Sequence, residues 1–295
     1  MLRSRESGAQ PVAPSWRANS RASIVRPLGP KSAARVAAAL DRDPVGTCMV
    51  AARFEIAGMD RDRLGGTFWG SAGEGGGLCF AGPNVIPLSD DRDGLWAIAD
   101  ALRAHGKRFA SIMGRAEQVQ PLWDRIGPWW GPAREIRDDQ PLLVCSDAPV
   151  IRPDLRVEVV REHQIDQYFP AAVAMFTEEV GVDPTTGDGG HSYRARVLEL
   201  VAAGRAFAVF DGSTVIYKAE VGSLTRRVAL IQGVWVHPEW RGKGLAAPAT
   251  AAVVRSIQAW GRLPSLYVNA YNIAGRATYA RVGFHQVGTF ASVLF

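Results

Sequence analysis

Residues 241–246 read Arg-Gly-Lys-Gly-Leu-Ala, and they are the part of the chain best suited to chemistry. They separate an apolar run with strand character (residues 228–236) from a run with helical character (residues 245–260). A glycine turn between strand and helix leaves several backbone N–H groups free. They point outward at the helix N-terminus, where the helix dipole also favours negative charge. Arg241 and Lys243 add two cations. The combination suits a phosphate or pyrophosphate. Pro238 stops the strand, because it has no N–H to give to a ladder. Pro248 falls in the first turn of the helix, where the missing N–H is harmless. The Gly-x-Gly-x-x-Gly dinucleotide pattern is excluded, since no acidic residue ends a following strand. A P-loop is excluded because no Gly-Lys-Ser/Thr follows.

A second segment lies downstream. Residues 269–284 read Asn-Ala-Tyr-Asn-Ile-Ala-Gly-Arg-Ala-Thr-Tyr-Ala-Arg-Val-Gly-Phe. Asn272 reads as a helix N-cap, and Tyr279 follows seven residues later on the same helix face. The run Val234-x-Val236-x-Pro238-x-x-Arg241-Gly242-Lys243-Gly244-x-Ala246 resembles the acetyl-CoA signature of the GNAT N-acetyltransferases. Residues 269–284 are similar to the closing segment of that family. The resemblance covers roughly the C-terminal half, and the two-lobed layout is similar to actinobacterial members with an uncharacterised N-terminal lobe.

The resemblance implies acetyl-CoA as cosubstrate. Arg241, Gly242, Lys243, Gly244, Leu245 and Ala246 would hold its pyrophosphate. Val234, Trp235 and Val236 would pair with the pantetheine arm as if it were a strand. A backbone N–H near Val234 would face the thioester oxygen. Tyr279 is the choice for the general acid, since a phenol with a pKa of about 10 stays protonated at neutral pH. Asn272 reads equally as a helix cap or as a contact to the cofactor arm. Arg276 and Arg281 either meet the adenosine phosphate or are solvated charges. For the base, Glu178 and Glu179 end the first helix of this half, in the region that lines the acceptor site in the family. Gln232 stands on the strand that often carries a glutamate there, and it cannot ionise. His191 and His237 are the other candidates.

Composition bounds the rest. A chain of 295 residues is long enough for two ordinary domains. Its hydrophobic content of 47% and charged content of 21% are those of a globular protein. No apolar run approaches a membrane span. Three scattered cysteines lack metal spacing, so a reduced cytoplasm is expected and no metal. The net charge of +5 is mild and its arginines are dispersed. A nucleic-acid partner is not indicated; an anionic cofactor accounts for part of the charge.

Periodicity supplies the frame. Residues 165–180 show helical apolar spacing, residues 206–210 and 214–221 read as strands around Asp211-Gly212, and residues 265–269 and 284–295 read as strands. The N-terminal half can be read in nearly the same order, with a hairpin around residues 73–76 and a last strand over 142–145. The expectation is a mixed-sheet α/β fold of tandem GNAT-like lobes, the N-terminal one degenerate. Residues 1–22 read as a disordered tail, 23–146 as the degenerate lobe, 147–153 as a linker and 154–295 as the catalytic domain. At the turn equivalent to 241–246, the N-terminal half has Ser-Asp-Asp-Arg-Asp-Gly (residues 89–94). Those carboxylates satisfy the helix dipole and repel a pyrophosphate. The expected activity is acetyl transfer from acetyl-CoA to a primary amine of a small molecule or peptide. The alternative is a non-catalytic acyl-CoA-binding regulatory protein.

Overall fold

The computed structural model describes residues 24–71 and 76–295. The expected tail (residues 1–22) and residues 73–75 of the expected hairpin tip lie outside them. The first half comprises β1 (Arg26–Pro27), α1 (Ala33–Arg42), α2 (Cys48–Ala57), α3 (Arg61–Leu64), β2 (Thr67–Gly70), β3 (Leu78–Ala81), β4 (Asn84–Pro87), α4 (Arg92–His105), β5 (Ser111–Arg115), α5 (Ala116–Trp130) and β6 (Glu135–Val144). The second comprises β7 (Glu158–Val159), α6 (Ile165–Val180), α7 (His191–Ala202), β8 (Ala206–Asp211), β9 (Thr214–Leu224), β10 (Val228–Val236), α8 (Ala246–Ala259), β11 (Leu263–Tyr267), α9 (Ile273–Val282) and β12 (His285–Leu294). Apart from the four-residue α3, the two halves repeat one order of elements, as tandem lobes require.

All of these strands join one mixed sheet, in the order β1-β2-β3-β4-β5-β12-β6-β11-β10-β9-β8-β7. The order contains an exchange. The last strand of the second half, β12, runs antiparallel to β5 of the first. The last strand of the first half, β6, runs antiparallel to β11 of the second. The two exchanged strands pair with each other at the centre, from His285 opposite Val144 to Leu294 opposite Glu135.

Core packing follows the exchange. Ala291 and Val293 of β12 pack with Ile98, Leu102, Val119 and Leu122 of α4 and α5. Leu143 of β6 packs with Ile231, Val253, Ile257 and Val282 in the second half. On the opposite face of that half, α6 and α7 cover the sheet through Tyr168, Val197 and Val201, with Trp235 of β10 beneath them.

The structure lengthens β6 well beyond residues 142–145. Arg137, Gln140 and Pro141 pair with β12, with an irregularity at Asp138 and Asp139, although aspartate and proline are poor strand formers. Pairing to a neighbouring strand outweighs intrinsic strand propensity.

The exchange gives a prediction. Expressed alone, residues 24–146 and residues 154–295 each lack a cooperative thermal transition by circular dichroism; co-expressed, they associate and recover one. Losing the burial of Phe290 and Val293 alone costs about 3 to 6 kcal/mol, a large fraction of the margin of about 5 to 15 kcal/mol that holds a domain folded. A cooperative transition in either isolated segment would contradict this.

Candidate active site

The site begins where two parallel strands part. β10 pairs with β11 only through Val228, Leu230 and the residue between them. Beyond Ile231 the facing edges diverge, and a cleft of about 680 Å³ opens between them. Backbone groups on such an edge have no ladder partner, so they are free to bind an extended ligand.

The β10 edge is itself irregular. Gln232 pairs with Glu220 and Trp235 with Lys218, so Gly233 and Val234 together face Ala219 in a bulge. Gly233 has φ +57°. A Cβ there would stand 3.0 Å from both Lys218 Nζ and Met175 Cε. The position therefore needs glycine for its backbone and for its surroundings.

At the end of β10 the turn is built as the residue types require. Gly242 and Gly244 have φ of +74° and +78°. Among the described residues, the backbone N–H groups of residues 242–245 make no hydrogen bond. No side chain caps α8 and no acidic residue stands in its first turn. The orphan donors and the dipole are left for an anion.

The first half treats the same place in the opposite way. Asp91 caps α4, its Oδ1 accepting from the Gly94 N–H at 2.6 Å, and Asp93 follows. β4 and β5 also form a short parallel pair, but Arg115 fills the space beyond it. Its Nε donates to Asp43 Oδ2 at 2.6 Å and its terminal nitrogen to Asp43 Oδ1 at 2.7 Å. Burial would raise the Asp43 carboxyl pKa, but the Arg115 hydrogen bonds and charge outweigh that and hold it below the usual range. Only about 20 Å³ remains there.

Most of the sequence-derived site residues line the one cleft: Glu178 from α6, Val234, Trp235 and Val236 from β10, Arg241, Gly242, Gly244, Leu245 and Ala246 from the turn, and Asn272 and Tyr279 from α9. Two do not. The Lys243 ammonium lies over the Trp240 ring at 5.3 Å, and Arg276 donates to the Ala270 carbonyl at 3.2 Å. Arg281 does line the cleft. Asn272 caps α9, its Oδ1 accepting from the Gly275 N–H at 2.8 Å. His191 and His237 lie outside the lining; the His237 Nδ1 accepts from the Glu239 N–H.

Tyr279 is buried, and its ring meets Phe284 edge-on at 5.8 Å. Among the described residues its hydroxyl makes no hydrogen bond, so its proton is available to the cleft. Burial first, and the Glu179 charge second, push its pKa up. The phenol stays protonated.

Glu178 is engaged. Its carboxylate accepts from Trp235 Nε1 at 3.0 Å and from Arg241 at 3.0 and 2.7 Å. Arg241 Nε also donates to the Val236 carbonyl at 3.0 Å, so the acceptor expected for the pantetheine arm is taken by Arg241. Glu179 pairs with Arg137 of β6 at 2.9 Å.

The sequence reading missed the contribution of the first half. Gln140 of β6 reaches the cleft. It accepts from Ser292 Oγ at 2.8 Å and donates to Asn269 Oδ1 at 2.8 Å. Nothing in the local pattern of Asp-Asp-Gln-Pro signals this, because it depends on which strand lies beside β11.

Comparison with known proteins bears directly on this geometry. Residues 216–292, which hold the bulge, the turn and Tyr279, match the family described as FR47-like protein. Solved structures align over nearly the whole chain. An acetyltransferase of the GNAT family from Colwellia psychrerythraea is 11% identical, covering 92% of this chain and 99% of its own, with a TM-score of 0.59. This chain has the GNAT fold. A Drosophila protein aligns at 16% identity, 92% and 99% coverage and a TM-score of 0.61. A GCN5-related N-acetyltransferase from Sphaerobacter thermophilus aligns at 16% identity, 93% and 96% coverage and 0.56. The GNAT architecture thus spans both lobes. Residues 66–168 match a domain of unknown function (DUF4081), a unit that runs through residues 147–153 into α6. No curated protein matches the chain.

The turn is directly testable. Valine at position 244 would be strained at φ +78° and would disturb the turn that presents the N–H groups. If the turn seats the expected cofactor, Gly244→Val is expected to lower CoA affinity by about two orders of magnitude, equivalent to losing one or two charge-assisted hydrogen bonds, with the circular dichroism spectrum preserved. Unchanged calorimetric affinity would show that the turn does not hold phosphate.

Proposed function

We propose that the chain transfers an acetyl group from acetyl-CoA to a primary amine of a small molecule or peptide. Residues 154–295 carry the chemistry and residues 23–146 form a supporting lobe without a CoA site. One observation carries this reading. The uncapped turn at 241–246, the unpaired edge of β10 and the unbonded Tyr279 hydroxyl all open into the same cleft. These are the parts that a thioester donor needs: a seat for the diphosphate, an edge for the arm, a donor for the carbonyl oxygen and a proton for sulfur.

In this scheme the Val234 N–H stabilises the charge that builds on the thioester oxygen. The amine nitrogen bonds to the carbonyl carbon as the carbon–sulfur bond breaks. Tyr279 gives its proton to the departing sulfur, and the proton shed by nitrogen returns to the phenolate through solvent. Arg241 exchanges Glu178 for the diphosphate, which frees the Val236 carbonyl for the arm.

A cytoplasmic place of action fits the three buried free thiols. No helix among the described residues is long and apolar enough to cross a membrane, and no group of metal-ligating side chains occurs among them.

A second reading has its own support. Both carboxylates lining the cleft are ion-paired, Glu178 to Arg241 and Glu179 to Arg137. A protein that binds acyl-CoA without turning it over would show this. Thiol release with an amine panel separates the two.

Calorimetry is expected to give one CoA per chain, since the equivalent space in the first lobe is filled by Arg115. Two equivalent sites would refute the assignment of lobes. Tyr279→Phe keeps the ring and removes the donor. General acids supply about 10² to 10⁴ in rate, so kcat falls at least about tenfold with acetyl-CoA affinity little changed. Because the folded phenol titrates above its ordinary value, wild-type kcat does not decline through Tyr279 ionisation below pH of about 10. A Phe variant with wild-type kcat, measured where chemistry limits turnover, would return Tyr279 to a packing role.

A further inference from the structure

Beneath the β10 bulge lies a charged cluster that the scheme above does not use. Lys218 of β9 is fully buried, and its ammonium pairs with Glu220 Oε1 at 2.8 Å. The same oxygen accepts from the Tyr168 hydroxyl of α6 at 2.9 Å. The Lys218 ammonium also lies 5.6 Å from the Tyr168 ring centroid. Its remaining hydrogen bond goes to the Gly233 carbonyl, at 3.1 Å.

A buried ion pair is poor value for stability alone. Hydrophobic residues of similar volume do as well or better, because desolvating two charges costs several kcal/mol each. The alternation of β9 offers an apolar replacement at no topological cost. The position of the pair is the informative feature. Gly233 and Val234 share a planar trans peptide group, in which C=O and N–H point in opposite directions. The Lys218 ammonium holds the C=O from the face that α6 covers. The Val234 N–H points to the opposite side of that peptide, and Val234 lines the cleft. A cation on the carbonyl oxygen also polarises the peptide and strengthens its N–H as a donor.

We infer that Lys218, with Glu220 as its counter-ion, is a positioning residue that aims and polarises the Gly233–Val234 peptide so that its N–H binds the carbonyl oxygen of the acyl donor. The inference rests on the acetyl-CoA reading and adds to it the origin of the oxyanion donor. Gly233 belongs to the same device. Its positive φ turns the peptide, and its missing side chain leaves room for the Lys218 ammonium and Met175. Glu220 is the charge partner of Lys218 rather than a base, since it is buried and already accepts from two donors.

The test uses the full chain and acetyl-CoA labelled with ¹³C at the carbonyl. Removing Lys218 alone would strand a buried carboxylate, so the pair is replaced together, as Lys218→Met with Glu220→Gln. A second variant, Lys218→Gln with Glu220→Gln, keeps a neutral donor beside the Gly233 carbonyl. In the wild type, the infrared carbonyl stretch of bound acetyl-CoA lies below its value in water. In the Met/Gln variant that displacement is lost and thioester hydrolysis falls at least about tenfold, short of the 10² to 10³ for deleting an oxyanion donor outright. CoA, which lacks the carbonyl, keeps its affinity within about twofold. The Gln/Gln variant recovers part of the displacement. A folded Met/Gln variant with wild-type frequency and hydrolysis would overturn the inference. If neither variant folds, the wild type decides: the Val234 amide proton resonance moves downfield when acetyl-CoA replaces CoA, and an unmoved resonance overturns the inference. A wild type that binds no acetyl-CoA refutes the cofactor reading instead, whereas binding with an undisplaced carbonyl stretch leaves that reading standing and refutes the Val234 oxyanion contact and, with it, the role of Lys218.

Discussion

Antiparallel pairing of β6 with β12 is the interaction on which the cleft depends. It places β6 against one edge of β11 and leaves the other edge of β11 to part from β10. Without β6, β11 would have only its short pairing with β10 to hold it. A strand held so briefly does not keep one wall of a cleft of about 680 Å³ fixed. The exchange therefore does more than join two lobes. It sets one wall of the site with a strand from the other lobe, and that strand brings Gln140 to the lining and Arg137 to Glu179. The cleft is in this sense built from both halves of the sequence.

Two lobes of one construction reach different ends through a few side chains. Each opens a short parallel pair in front of a helix. In the first, an aspartate caps the helix and an arginine–aspartate pair fills the space. In the second, glycines carry the chain through the turn, no side chain caps the helix and the space stays open. Backbone N–H groups at a helix N-terminus are obligatory partners for something. Where the chain supplies a carboxylate, the donors are taken; where it does not, they are left to water or a ligand.

Much of this was legible in the sequence, for reasons that are local. β10 and α6 occur as read, because apolar runs and 3.6-residue spacing encode those elements directly. The turn, the Asn272 cap and the contrast with residues 89–94 were legible because glycine, asparagine and aspartate act on their own neighbours. What escaped was non-local. The polar start of β6 is strand only because β12 lies beside it. Lys218 and Glu220 alternate along β9 as solvent-facing residues would, yet α6 covers that face and buries both. Alternation states that two faces exist; it does not state which is covered. The engagement of Glu178 by Arg241 and Trp235 was equally invisible, since it joins residues from α6, β10 and the turn.

The central claim is that the diverging edges of β10 and β11 form a seat for one acyl-CoA. A crystal structure of the full chain with acetyl-CoA tests it most directly. The account predicts the diphosphate on the N–H groups of residues 242–246, the arm along Val234–Val236, the thioester oxygen on the Val234 N–H, and no ligand beside Arg115. Cofactor density at residues 89–94, or a diphosphate bound away from the glycine turn, would contradict it.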